Sequence, residues 1–504
     1  MLFLKRYDLL FVTASLMFII SLILAIAFQN FLWLLIPFAW ILIPVIFNYT
    51  ISFTEHLFWL MIIFLPLSTE LMVTDSLGLD FPDEPLLILL TGIFIVKLIY
   101  RPALFPKTIL NKSLFFLLVL HLIWIFVCCF FSVDSVLSIK FLLAKIWYVI
   151  PFVLLPQIII KSQNDFKKIA LLLLLPMLLV VIQALIRHLF YNFSFEGIKQ
   201  VLDPFFRNHV NYSAMLVCLL AVLWCVRKLT PNNQFSSKLI NVGIVIGIAG
   251  LIFSYSRGAW FALILGILAG IFIHYKKMKI ILIGLIVFCL SSTAWLSYNN
   301  NYLKFEPDYQ HTIFHTDFSE HLQATVTLKD VSNAERFYRW IAAANMIAER
   351  PISGFGPNNF YNNYKTFTRN QFKTWVSKNP DQSSVHNYFL LTALEQGIIG
   401  LILFSALFFG MILKTQQLYH QLHNNFYRTI SMTTGIVLVM IGTVIFLSDL
   451  IETDKIGSLF WLSLGTIFLL QEKLKEEKES IASNVLRLSR VIWLFPYFEN
   501  LYRL

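Results

Sequence analysis

SLFFLLVLHLIWIFVCCFF, residues 113–131, is the stretch that decides the fold class of this chain. It holds no Asp, Glu, Lys or Arg, and its one histidine, His121, stands among bulky apolar residues. A helix crosses the hydrocarbon layer of a bilayer with about 20 such residues. The stretch therefore predicts a membrane-spanning helix.

Apolar runs of this kind recur from one end of the chain to the other. They fall at residues 8–27, 31–47, 53–67, 85–100, 113–131, 139–160, 166–187, 208–226, 238–254, 257–274, 280–298, 388–413, 430–448 and 456–471. The run at 31–47 is short and contains Pro37 and Pro44, as a re-entrant or interfacial segment would. We therefore predict an all-α polytopic membrane protein with about 12–14 transmembrane helices. The composition, 58% hydrophobic and 13% charged with mean hydropathy +0.73, excludes an ordinary soluble domain.

The charged residues predict the orientation of the helices. The net charge is +11, and the basic residues cluster in alternate short loops, for example Lys167 with Lys168 and Lys276 with Lys277. The loop at residues 68–85 has no Lys or Arg and five acidic residues. This is the positive-inside pattern. It predicts that both termini are cytoplasmic and that residues 299–385 lie on the opposite side, and it favours contact with membrane lipids over nucleic acid.

The same pattern divides the chain into four segments. Residues 1–298 form an N-terminal bundle of transmembrane helices, 299–385 a large loop, 386–471 the C-terminal transmembrane helices, and 472–504 a cytoplasmic tail. The tail predicts a basic amphipathic helix on the inner leaflet, with a frayed tail as the alternative. Lys5 and Arg6 before the first run resemble a signal peptide, but we expect an uncleaved helix because a second run opens at once, at Phe31.

Metal or cofactor chemistry has no support in the sequence. The five cysteines lie within apolar runs, and no Cys/His spacing is typical of zinc. We therefore predict neither a metal nor a cofactor.

The large loop contains the first candidate site residues. It is too long for a simple connector, and residues 333–348 have helical periodicity with Arg336 and Arg339 alongside. An Asn-rich aromatic stretch follows and includes Asn359 and Tyr361. Aromatic faces and amides suit a sugar, which has apolar ring faces and hydroxyl edges; the alternative is an interfacial anchor at headgroup level.

Two further candidates flank membrane runs. Arg257 lies between two spans, where a cation is costly unless paired or functional, and its guanidinium suits phosphate oxygens. A snorkelling arginine is the alternative. His386 opens the run that re-enters the membrane, where it can act as a base or hydrogen-bond donor; Asn387 follows it, and Glu395 lies further along. A purely structural histidine is the alternative.

These residues occur together in an order that resembles a known family. The order is SRGA at 256–259, Arg336 with Trp340, PISGFGPNNF at 351–360, HN at 386–387 and EQGIIG at 395–400, with a weaker element, NHVNY, at 208–212. This set resembles the O-antigen ligase and polymerase superfamily, bacterial inner-membrane glycosyltransferases of GT-C type, and is closest to the ligases. The resemblance implies a periplasmic active site and a donor glycan linked to undecaprenyl pyrophosphate. The acceptor is lipid A–core in a ligase and another lipid-linked repeat in a polymerase.

The resemblance also implies roles for the candidates. Arg257 and Arg336 would bind the pyrophosphate, and His386 would orient or deprotonate the acceptor hydroxyl, as the catalytic set. We assign substrate binding to Arg339, Asn359, Tyr361, Asn387 and Glu395.

Two other classes of protein remain as alternatives. A flippase or transporter for such glycans would need charged residues along a midplane path, and the spans offer mainly Lys97, Lys140 and Lys145 without matched acids. A non-catalytic assembly protein gives no reason for the arginine and histidine motifs to occur in this order.

Overall fold

Long helices make up most of the protein. The computed structural model describes residues 16–21, 24, 53–74, 77–232, 235–305, 331–374, 377–379 and 383–499. The long helices are α1 Thr54–Phe64, α2 Asp83–Tyr100, α3 Ser113–Phe130, α4 Ser135–Val149, α5 Gln163–Leu189, α6 His209–Leu229, α7 Phe235–Ile252, α8 Arg257–His274, α9 Met278–Ser297, α10 Val331–Glu349, α11 Tyr388–Gln421, α12 Asn425–Phe446 and α13 Asp454–Glu499. Short helices lie at Pro156–Ile159, Ile198–Val201 and Phe360–Asn363, and two strands are β1 Thr69–Thr74 and β2 Leu77–Phe81.

The predicted fold class is confirmed. In the described part of the chain, nine helices are long and apolar enough to cross a membrane, namely α3, α4 with its helical continuation to Ile159, α5 to α9, α11 and α12. The helix α1 is a shorter apolar helix, and the predicted spans 85–100 and 456–471 lie within α2 and α13. Most of the predicted span 8–27 and all of 31–47 lie outside the described residues.

The helix α12 occupies the centre of the bundle. It packs against α6, α8, α11 and α13, and most of its side chains are buried. Its polar residues are mainly threonines, and the hydroxyl groups of Thr429, Thr433 and Thr443 donate to the carbonyl four residues earlier. The helix therefore buries these hydroxyls without leaving a donor unpaired.

One end of the bundle, here called the loop end, gathers the segments that matter for the site. Residues 299–385 leave α9 and rejoin α11 there. The amide of Val133, which follows α3, donates to the Phe355 carbonyl over 3.0 Å. Lys455, at the start of α13, donates to the carbonyl of Ser68, just before β1, over 2.9 Å.

Two local features were not part of the sequence-based prediction. The acidic loop after α1 contains the antiparallel hairpin β1–β2, in which Leu71 is opposite Leu79; strands this short are hard to predict from their pattern. The helix α13 continues past residue 472, where we placed the boundary of the tail. No proline or glycine interrupts it there, and Lys112 pairs with Glu472 at 2.7 Å.

Candidate active site

His386 lies at the loop end, on a turn two residues before α11. Its backbone has φ 55°, a left-handed conformation that few residues other than glycine adopt. Two side chains of α10 hold the segment before it. Trp340 Nε1 donates to the Val385 carbonyl over 3.0 Å, and an Arg339 terminal nitrogen donates to the Ser384 carbonyl over 3.1 Å. The turn and these two hydrogen bonds fix the position of the imidazole.

Asn387 begins α11 as its cap. Its side-chain oxygen accepts from the Leu390 amide over 3.0 Å, and the residue is 7% exposed. A cap of this kind satisfies a backbone donor that the first helical turn leaves unpaired. Asn387 therefore positions its neighbour His386, and its side-chain oxygen is already used.

Arg339 is enclosed in the loop. It is 5% exposed, and one of its terminal nitrogens lies 3.3 Å from Glu335 Oε2. The other Glu335 oxygen accepts from the hydroxyls of Thr374 and Ser377. Arg336 lies on the same side of α10, three residues before Arg339, and is half-buried. Of the two, Arg336 is therefore the more accessible.

His386 is electrically neutral at physiological pH. Burial, followed by the positive charges of Arg339 and Arg336, lowers the pKa of His386 to about 3. Both guanidinium groups therefore act electrostatically on the imidazole. A neutral imidazole has one ring nitrogen free to accept a proton, which a general base requires.

Arg257 lies at the loop end on a different helix, α8. It is the first residue of α8 and is half-buried, and Ser256 is the N-cap. A Cβ atom on Gly258 would lie 3.5 Å from Leu447, at the end of α12. The structure thus groups His386, Arg336 and Arg339 and places Arg257 at the same end of the bundle.

The PISGFGPNNF motif docks against a break in α11. Gly397 interrupts the helix with φ 69° and ψ −179°. The Phe355 and Gly356 amides donate to the carbonyls of Leu394 and Glu395, each over 2.9 Å, and the Ile398 amide donates to the Pro351 carbonyl over 2.8 Å. These backbone hydrogen bonds explain why the glycine-containing motifs occur together.

Asn359 and Glu395 hold this junction to the bundle. Asn359 is fully buried, its Oδ1 accepts from the Asp134 amide, and its Nδ2 donates to Ser132, Ser138 and Pro357. Glu395 is 3% exposed and accepts from the Phe360 amide over 3.2 Å. The Asn359 amide is thus enclosed and its polar groups bind within the protein, so Asn359 holds this junction together, and its contact with substrate stays a prediction. Glu395 likewise supports the motif.

Tyr361 is the predicted sugar contact that keeps partial access to solvent. It is half-buried, and its hydroxyl donates to the Asn379 carbonyl over 3.4 Å. Lys365 lies over its ring at 5.6 Å from the centroid.

A buried ion pair near His386 was not predicted. Lys145 of α4 is 3% exposed, and its Nζ lies 2.6 and 2.7 Å from the two oxygens of Glu452. The same Nζ lies 5.7 Å from the ring centroid of Tyr388, two residues after His386. The sequence showed Lys145 as an unmatched charge because Glu452 lies in a distant short connection.

Within the described ranges, no three His, Cys, Asp or Glu side chains converge as they would around a metal ion.

The model of a protein family described as O-antigen ligase matches residues 242–405. No curated protein matches the chain. The matched segment contains Arg257, Arg336, His386 and both halves of the Gly397 junction. The match therefore supports the resemblance of the sequence motifs to the O-antigen ligase superfamily, here within an all-α membrane protein.

Proposed function

We propose that this protein is a glycosyltransferase of the bacterial inner membrane that moves a glycan from undecaprenyl pyrophosphate onto a hydroxyl of lipid A–core. The observation that carries the proposal is the neutral His386 beside Arg336 within an O-antigen ligase domain. One group is suited to accept a proton and the other to hold an anion. In the proposed orientation the loop end faces the periplasm and both termini are cytoplasmic.

The proposed reaction is one displacement at the anomeric carbon of the donor. The acceptor hydroxyl oxygen forms a bond to this carbon as the bond from the carbon to the phosphate oxygen breaks. The hydroxyl proton passes to a ring nitrogen of His386, and the pyrophosphate leaves with the electron pair. Arg336 and Arg257 neutralise the charge that develops on the leaving group, so the proposed mechanism uses no metal.

The junction at Gly397 supports this chemistry indirectly. Asn359 and Glu395 fix the PISGFGPNNF motif, and Arg339 fixes the segment before His386. A base must lie within hydrogen-bond distance of the proton that it takes, so loss of these contacts impairs transfer by misplacing the imidazole.

A polymerase is the second candidate, because the family match is shared by enzymes that differ in acceptor. Deletion of the gene separates the two. Loss of a ligase leaves long polymers on undecaprenyl pyrophosphate, whereas loss of a polymerase leaves single repeats on the surface lipid. A flippase defect traps repeats on the cytoplasmic face.

The site itself is tested by transfer in vitro. Membranes containing Arg257→Ala, Arg336→Ala or His386→Ala should transfer no glycan while the protein inserts normally. Arg369→Ala is the matched control, because Arg369 is an exposed cation of the same loop that lies over Tyr302. It should transfer at the wild-type rate. Wild-type transfer by all three site variants contradicts the proposed mechanism.

A further inference from the structure

A polar cavity of about 400 Å³ lies at the loop end. Its walls come from the β1–β2 hairpin, the segment that leads into α6, and the residues around the start of α13. This volume falls within the range of small-molecule sites in proteins, about 300–1,000 Å³. None of the residues assigned to catalysis from the sequence lines it.

The charges that line this cavity exclude the pyrophosphate of the donor as its ligand. Five carboxyl groups and two cationic groups line it. The first cation, Arg207, is paired with Glu70. The second, Lys455, donates to the carbonyl and hydroxyl oxygens of Ser68 over 2.9 and 3.0 Å. Because acceptor oxygens predominate and both cations are engaged, the cavity suits a neutral ligand with many hydroxyl donors.

One acceptor atom in the wall lacks a partner. The side-chain oxygen of Asn211 is buried and has no hydrogen-bond partner among the described residues. Its backbone amide donates to the N-cap Asn208 over 2.9 Å, so the residue itself is firmly placed. A buried polar atom without a partner is uncommon and costly, so Asn211 is a residue of the wall that still has hydrogen-bonding capacity to use. Phe205 and Pro204 in the same wall supply the apolar surface against which a sugar ring packs.

The cavity is connected to His386 through Glu452. The Glu452 carboxylate lines the cavity and also interacts with the hydroxyl of Tyr388. Tyr388 follows His386 by two residues, so their Cα atoms lie within about 7 Å of each other. Lys145 fixes the carboxylate by binding both of its oxygens. Glu452 and Tyr388 thus link the cavity wall to the segment that carries His386, on which the arginines of α10 also act.

We propose that this cavity binds the terminal sugar of the acceptor, so that the hydroxyl to be glycosylated lies beside His386. The inference rests on the proposed function and extends it. The arginines hold the anionic half of the donor, and the carboxylates and Asn211 hold the hydroxyls of the acceptor. Positive side chains therefore bind the donor and negative side chains bind the acceptor, and His386 serves both as the base.

Transfer kinetics with both substrates varied test the assignment. The probes are the undecaprenyl-pyrophosphate-linked glycan and the lipid A–core extracted from the cells that make this protein, with the protein in nanodiscs. Asn211→Ala should raise the KM for lipid A–core about tenfold, the effect of one lost hydrogen bond, and leave the KM for the donor unchanged. Asn211→Asp keeps an acceptor oxygen and should restore the acceptor KM to within about threefold of wild type.

Asp203→Asn adds a second, independent probe at the exposed mouth of the cavity, and Glu196→Gln is its matched control. Glu196 is an exposed carboxylate of the same segment that does not line the cavity. Asp203→Asn should raise the acceptor KM and Glu196→Gln should not. If Asn211→Ala and Asp203→Asn keep wild-type acceptor KM values, or raise both KM values alike, the cavity is not the acceptor site although the enzyme is a transferase. If the wild-type protein transfers nothing, the proposed function fails and the acceptor site with it.

Discussion

His386 illustrates how a single residue acquires its chemistry from its neighbours. Its φ of 55° and the cap formed by Asn387 hold the imidazole at the start of α11. Burial and two guanidinium groups then keep it neutral. In the proposed mechanism, the arginines that bind the leaving group therefore also keep the base unprotonated before the donor binds.

The pH dependence of transfer tests this coupling. The His386 pKa of about 3 lies below the ordinary value of 6.5, so the free enzyme holds a neutral imidazole throughout the range from pH 5 to 8. We expect kcat/KM, which reports the free enzyme, to show no acid limb from His386 in that range. Arg336→Gln removes one of the positive charges that lower the pKa of His386. The acid limb in the pH profile of its residual activity should therefore lie at higher pH than in the wild type.

The bound complex should behave differently. An anionic donor offsets the arginine charges, so the pKa of His386 rises and the acid limb of kcat lies at higher pH than that of kcat/KM. The same pKa shift makes the folded state of the free protein less stable as pH falls from 6.5 towards 3, because the unfolded chain binds the proton first. An acid limb of kcat/KM at pH 6.5 in the wild type is the result that contradicts the assignment.

Residue identity was easier to predict than residue role. The motifs identified Arg336 and His386 as candidates, and the structure places them in electrostatic contact. The Asn-rich composition around Asn359 predicted sugar binding, yet its partners Ser132 and Ser138 lie more than 200 positions earlier in the chain. Composition shows which groups are present, whereas burial depends on distant contacts that the sequence does not display.

At the scale of elements, the break in α11 is the feature that joins the motifs. Gly397 turns the chain so that Pro351 and Ile398 form a backbone hydrogen bond, which a continuous helix would not allow. The sequence predicted a helix over 388–413 and a turn near Gly354 and Gly356. It did not show that the two meet, because the contact depends on one backbone angle.

Gly397→Ala should therefore unfold the junction. A Cβ atom there would lie 1.8 Å from the Ile352 carbonyl oxygen, and φ 69° is strained for alanine. We expect a loss of about 2–4 kcal/mol of stability, together with loss of transfer. Thermal unfolding of the purified protein measures the first effect. Gly284→Ala is the control, since nothing lies within 4 Å of the new Cβ. Equal unfolding temperatures for the two variants would contradict the interpretation.

At the scale of the whole molecule, distant segments meet at the loop end. Lys145 and Glu452 are 307 positions apart, and their ion pair joins α4 to the segment before α13. Hydropathy alone located most of the helices, because each span must satisfy its own backbone in the membrane. It gave no information on which helices are neighbours, so the polar cavity and the ion pair became visible only in the structure.

The orientation of the molecule in the membrane is the remaining prediction at this scale, and cysteine labelling tests it. The native cysteines all lie within predicted spans, and four of the five are buried, so background labelling should be low. Asn370→Cys places a thiol at an exposed position of the large loop, and Tyr275→Cys places one at an exposed position between α8 and α9, at the opposite end. Because the basic residues flank the second position, the positive-inside rule predicts that it is cytoplasmic. In intact spheroplasts an impermeant maleimide should label Asn370→Cys alone, and permeabilisation should expose Tyr275→Cys. The reverse order would place His386 on the cytoplasmic side and rule out a periplasmic reaction.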